Sequence, residues 1–377
     1  MGTPITRDQL LQLRLAHHFP GRDGQTPPGP PGPAGVVDRM LAVQAQDFGQ
    51  ALWAVGSRVR GSTRHEVLAV LDSAEVVRSA PVRGTLHFVR PADLRWMLGL
   101  TAERMIKSAS RRLAELDLDQ RTLHRARDVA GEALAGGMAL SRDEFLETLD
   151  GSGISTSGQR GYHIIWYLAQ TQLVCWGPSD GSQQALVLLD EWAPGNGAPP
   201  DRDEALRRFV LRYFTGHGPA RLQDFTWWSK LTLADAKVGL AQARSELEEY
   251  VYDGASYWAL PEVTEPDPLT EGGLLLAGYD EYILGYQDRA PSLPPEYASR
   301  IQLAKNGVFK PSLLLDGRAV GTWRRNPRDN TADTAPFAES AISGTEVFDG
   351  AIAAYARFLA DKRTPEKPRK LNRTRDW

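Results

Sequence analysis

Polar residues that start helices and apolar residues that fill them succeed one another along this 377-residue chain in a recurring order. Thr6 with Gln9, Thr63 with Glu66 and Ser141 with Glu144 each place a hydroxyl three residues before Glu or Gln. That reciprocal pattern satisfies orphan amides at a helix start. Asp47 with Gln50 and Asp201 with Glu204 are weaker versions, so helices are predicted just after each of the five. Between them lie strand-like stretches at 76–89, 173–189 and 250–260, the last with Asp253-Gly254 as its turn, and each predicts a hairpin.

Helices followed by a hairpin thus recur over 6–90, 119–190 and 201–261. Three helices with a two-stranded wing describe a winged helix, although an unrelated α+β protein with hairpins between helices carries the same order. Residues 274–285 and 311–325 are rich in strand formers, with Asp316-Gly317 as a hairpin turn, and 345–361 reads as one closing helix. The expected fold class is therefore α+β: three tandem winged-helix units at 1–95, 96–192 and 193–262, then a β-rich C-terminal domain at 263–377 with a basic tail. The Pro/Gly-rich segment 25–34 is expected to be an extended, non-helical loop.

Composition narrows the class. A hydrophobic share of 42% and ten tryptophans point to a folded multi-unit protein. A single cysteine, Cys175, forms no internal disulfide, and the cytoplasm is the expected compartment. No apolar run reaches the length of a membrane span, and the opening MGTPITRDQL lacks the apolar stretch of a secretory signal. The net charge of −3 hides an asymmetry: 78–112 holds eight Lys/Arg against Asp93 and Glu103, whereas 246–281 holds ten Asp/Glu and no Lys or Arg. Such runs fit a phosphate-facing surface and an ordinary solvated face equally well.

Familiar catalytic signatures are missing, with no phosphate loop, no nucleophile elbow and no paired CxxC. Seven scattered histidines make a metal site unexpected, and Cys175 reads as a small buried apolar residue. What remains is Gln44-Ala45-Gln46, between an apolar helix and the cap at Asp47. On a helix, positions i and i+2 point about 200° apart, so both amides address one target only where the helix breaks. Asp47 is then a structural cap. Taken alone, the triplet reads most simply as exposed polar residues.

Several blocks lift it from that reading. Met40 to Gln46 is followed by Leu52 to Arg58, Arg83 to Val89, Gly216 to Ala220 with Asp224 to Trp228, Tyr279 to Arg289, and Asp316 to Arg324. Together they resemble the winged-helix DNA glycosylases, the family of the azinomycin self-resistance glycosylase and of bacterial relatives that remove alkylated bases. The resemblance spans nearly the whole chain. It implies catalysis by Gln44 and Gln46, in the Gln-x-Gln form associated with biosynthesis of DNA-alkylating antibiotics, and a concave DNA-binding surface. The implied partner is double-stranded DNA containing alkylated guanine, bound by a monomer without cofactor, metal or membrane.

Arg83, His87, Arg90, Arg111, Arg112 and Arg160 are the expected DNA contacts, although arginines serve surface ion pairs as readily. Two amides suffice for a base that already carries positive charge: it departs neutral, and an amide can orient water and stabilise the cationic sugar. A non-catalytic winged-helix regulator or drug sensor is the competing reading, distinguished by a defined DNA site in place of lesion dependence.

Overall fold

The computed structural model describes residues 2–19, 32–179, 183–195, 197–261, 272–303, 307–338 and 344–360. It is a mixed helix and sheet protein. All five capping signals operate. Thr6 and Ser141 form reciprocal boxes with Gln9 and Glu144, Thr63 and Glu66 exchange the same two bonds, and Asp47 and Asp201 accept from the main chain of Gln50 and Glu204.

Packing divides the chain into two units, one joining 1–67 with 201–363 and one holding 68–200. This cuts across the four consecutive stretches suggested by the sequence. The cause is long-range pairing: Arg58 and Gln44 find partners 222 and 237 residues later in the chain.

In the first unit, helices Arg7–His18, Gly32–Met40 and Phe48–Gly56 join Arg202–His217, Leu222–Ser229 and Leu233–Ala243. The hairpin Glu248–Tyr252 with Ala255–Ala259 follows, and Thr3–Pro4 adds to it in parallel. Leu274–Leu276, Ser312–Leu315, Arg318–Arg325 and Ala332–Pro336 form an antiparallel sheet, and the closing helix is Asp349–Ala360. Asp316 and Gly317 turn the central hairpin with φ of 47° and 75°, as their dipeptide predicts. Tyr355 of the closing helix lies edge-on between Trp53 and Trp323, at ring separations of 4.9 and 4.8 Å. Both indoles donate to main-chain carbonyls of the Leu274–Leu276 strand.

Two expectations change. Strand character stops at Leu276, because Asp280 caps a one-turn helix, Glu281–Leu284, by accepting from the Tyr282 amide. Residues 32–34 are helical, since Pro33 falls in the first turn, where its missing N–H would be unpaired in any case; 25–31 lie outside the described residues.

In the second unit, Val77–Val82 pairs with Thr85–Val89 and Val174–Ser179 with Gln184–Leu188, and Arg78 opposite Trp176 joins the two hairpins. Residues 180–182, in the middle of the hairpin expected at 173–189, lie outside the described residues. Helices Pro91–Glu115, Gln120–Ala133, Arg142–Gly151 and Arg160–Gln170 share a core that includes Leu123, Ala126, Ala130, Phe145, Leu149 and Ile164. The first three of these lie at i, i+3 and i+7, the buried stripe of an amphipathic helix.

Helix, short extended segment, two helices and hairpin recur in this order from 32, from 120 and from 202. In the second and third runs the short segment bridges back to its own hairpin, Leu140 to Leu186 and Ala220 to Trp258. In the first run the short segment is Ala42–Gln44.

Candidate catalytic site

The join between Gly32–Met40 and Phe48–Gly56 is an abrupt break. Leu41 takes a left-handed conformation, φ 62°, which costs a non-glycine residue about 1 kcal/mol. Complete burial of its side chain offsets that strain. Ala42–Gln44 is extended, the chain bends at Gln46, and Asp47 Oδ1 accepts from the Gln50 amide at 3.0 Å. The helix therefore breaks where the capping signal places the break, and Asp47 is a cap. Gln44 is buried and Gln46 exposed, so one amide is anchored in the interior while the other meets solvent.

Beneath the join lies a buried polar cluster from four sections of chain. The Gln44 amide donates to Glu281 Oε1 at 3.1 Å. Glu281 Oε2 accepts from Trp228 Nε1 at 2.8 Å and lies 3.4 Å from His217 Nε2. Next to Glu281, Asp280 holds Arg58 through two bonds, 2.7 and 3.0 Å, and Arg58 also donates to the carbonyls of His18 and Ala54. A buried pair of this kind is weak evidence of net stability, but removing one partner costs about 3–5 kcal/mol. Tyr286 donates its hydroxyl to the His217 carbonyl and meets His18 Nε2 at 2.8 Å.

Burial dominates the titration of these groups. It pushes His17 down to about 3, helped by the Arg39 charge, and holds His18 well below the usual histidine range, helped by His217 and Arg58. Burial likewise raises the Cys175 thiol to about 12, so it is a packed apolar group. Among the described residues no group of three or more His, Cys, Asp or Glu could hold a metal ion.

The expected DNA-contacting residues lie in the second unit, and the structure separates them. Arg83 turns a hairpin with Gly84, φ 55° and 65°, and meets His87 Nε2 at 3.1 Å. His87 is completely buried, with Nδ1 2.7 Å from the Thr85 carbonyl, so the expected DNA contact is corrected to a support for the hairpin. Arg90 caps the Pro91–Glu115 helix and lies 3.8 Å from Glu75. Arg111 and Arg112 stand near the other end, about 33 Å away along the axis. Both bond Glu115, and Arg112 also donates to Gln159.

Arg160 does open a helix, Arg160–Gln170. Its guanidinium donates to the carbonyls of Leu116 and Asp117, at the end of the Pro91–Glu115 helix, and of Ser155. Arg104 and Lys107, one helical turn apart and in line with Arg111, are exposed too; their i, i+3, i+7 spacing was the available signal.

Glu281, His217, Trp228, Asp280 and Arg58 received no individual role from the sequence, although every one lies in a block on which the resemblance rests. Their polar types inside apolar surroundings were the only local hint.

A two-glutamine join lies over a buried carboxylate, on an α+β scaffold of repeated helix and hairpin runs. The AlkZ-like DNA glycosylase model matches residues 37–358, and the chain belongs to that family. It is a DNA glycosylase. An interstrand DNA cross-link repair glycosylase of Streptomyces sahachiroi is 27% identical over 353 residues, covering 89% of this chain and 93% of the relative. In the solved structure of the Streptomyces sahachiroi DNA glycosylase AlkZ the same fold is seen, with a TM-score of 0.77 at 24% identity over 94% of this chain and 97% of that one. Among the described residues no helix is long and apolar enough to cross a membrane.

Proposed function

We propose that Gln44 and Gln46 catalyse hydrolytic release of cationic N7-alkylguanine from double-stranded DNA, with bulky drug adducts and interstrand crosslinks as the substrate class. The observation that carries this reading is the helix break, which leaves Gln44 buried and Gln46, two residues on, open to solvent. Neither amide can deprotonate water or protonate a leaving base. A base with a formal positive charge needs no protonation, so orienting water and stabilising the cationic sugar are the tasks left to the protein. The proposed reaction is monofunctional, with water attacking directly and no Schiff base.

Three tandem winged-helix units are the architecture that best accounts for the recurring helix, extended segment, two helices and hairpin, and the bridges Leu140–Leu186 and Ala220–Trp258 support it in the second and third runs. An open array of such units admits a tethered base that a snug flipping pocket excludes. Exposed Arg104, Lys107 and Arg111 supply the phosphate-facing stripe. The cross-link repair named for the relative fits this substrate class, and self-resistance to an alkylating antibiotic is the setting we infer for a protein that works as a cytoplasmic monomer.

The test is single-turnover incubation with duplexes carrying uracil, 8-oxoguanine, N7-methylguanine and a bulky N7 adduct. Release of the cationic bases alone is expected. Efficient uracil removal, or no release from any cationic adduct, would defeat the reading.

A further inference from the structure

Glu281 has 1% of its surface exposed and cannot touch a base or a sugar in this conformation. Its carboxylate nevertheless gathers donors from three separate segments: the Gln44 amide, the Trp228 indole and the His217 ring. The other nitrogen of His217, Nδ1, faces the Tyr213 carbonyl at 3.3 Å. Nε2 of the same ring lies 3.4 Å from Glu281 Oε2, so the ring is held between the two acceptors. Gly285 presses on the same ring: a Cβ there would stand 2.6 Å from His217 Cδ2, so the histidine has no room to turn away.

We propose that Glu281 is a positioning residue for the reaction, acting through the main chain of Gln44; the inference rests on the catalytic reading of Gln44 and Gln46. Gln44 is the last residue of the strand Ala42–Gln44, between left-handed Leu41 and the bend at Gln46. A charge-assisted bond to its N–H fixes the peptide plane that carries the Gln44 Cα, two residues before Gln46. Small misplacements matter at this level, since about 1 Å of drift in a positioning group can lower a rate about a hundredfold.

Only a carboxylate fits. A glutamine at 281 offers one oxygen and one NH2, so either the Gln44 amide or the Trp228 indole would face a donor.

The experiment compares Glu281→Gln with the wild type at saturating enzyme on an N7-methylguanine duplex. The expected result is a loss of about tenfold or more in single-turnover release, with Kd for that duplex changed less than about twofold. Adding Trp228→Phe removes the opposing donor and should restore part of the rate, a recovery that a purely structural role would show in melting temperature alone. Wild-type release by Glu281→Gln, or a loss confined to DNA affinity, overturns the proposal.

Should Glu281→Gln fail to fold, or the wild type release no base, the Gln44 amide in uniformly labelled wild-type protein decides. A resonance shifted downfield and protected from exchange is expected. An amide that exchanges as fast as that of Gln46 overturns the positioning role, whereas a protected amide in a protein inert on all cationic adducts defeats the catalytic reading on which it rests.

Discussion

Two joins occupy the same place in the recurring order and are built for different ends. At Leu140 and Ser141 the chain closes on itself: Leu140 and Leu186 exchange main-chain bonds of 3.1 and 2.7 Å, and Ser141 immediately caps the next helix. At Gln44 to Asp47 two more residues separate the extended segment from its cap, and the Gln44 amide is directed to a buried side chain, Glu281. Ala45 and Gln46 stand between strand and cap, and there Gln46 meets solvent while Gln44 stays buried.

The comparison breaks most sharply on the rate of base release. Replacing both Gln44 and Gln46 with alanine is expected to lower single-turnover release by about two to three orders of magnitude while DNA affinity stays near wild type. The two single losses should be non-additive, because one water is oriented by both. Leu140→Ala, at the corresponding place in the other unit, should lower the melting temperature and leave release by bound enzyme unchanged. Equal rate losses at the two joins would erase the distinction.

Acid should separate the two units next. His17 and His18 are buried with folded values depressed below the ordinary histidine range, so between that range and about 3 the unfolded chain binds protons that the folded one does not. Stability is then fully present above about 6.5 and falls as pH drops, by up to about 1.4 kcal/mol per pH unit for each histidine. Denaturant titrations from pH 7 to pH 4 should show this slope, and His17→Asn should flatten it. No change in slope would mean that the site opens before it protonates.

A smaller effect sharpens the likeness between the joins. Asp47→Ala and Ser141→Ala should each cost about 1 kcal/mol of stability, measured by denaturant midpoints, because both remove a cap of the same kind. A much larger loss of activity for Asp47→Ala than for Ser141→Ala would assign Asp47 a chemical role. Smallest of all, Arg111→Ala should reduce the logarithmic salt dependence of duplex binding by about one unit, whereas Arg160→Ala, which removes bonds to three carbonyls, should change stability and leave the slope alone.

Local chemistry was legible in the sequence wherever it acts over a few residues. The caps at Thr6, Asp47, Thr63, Ser141 and Asp201, the turns at Asp253-Gly254 and Asp316-Gly317, and the break in the helix at Gln44 to Gln46 all depend on spacing of three or less. The grouping of 1–67 with 201–363 was not legible, because nothing in the pattern around Arg58 indicates a partner at Asp280. The surroundings of His87 and Arg160 were hidden for a related reason: charge and polarity are visible in a sequence, but the carbonyls beside them are not. The cluster around Glu281 was hidden most completely, since its members come from separate parts of the chain and only their burial gives them meaning.

The bond from Gln44 to Glu281 also sets an order of events during synthesis. Translation at about 5–20 residues per second leaves at least about 12 seconds between the emergence of the two partners. Residues 68–200 form a contiguous unit and can complete their packing in that interval, while Arg58 and the glutamine join wait for the strand-rich part of the chain. A ribosome that stalls before Asp280 therefore releases a product with one intact unit and an unanchored glutamine join. Such a fragment keeps the exposed Arg104, Lys107 and Arg111 but lacks the carboxylates to which the Gln44 amide and Arg58 bond.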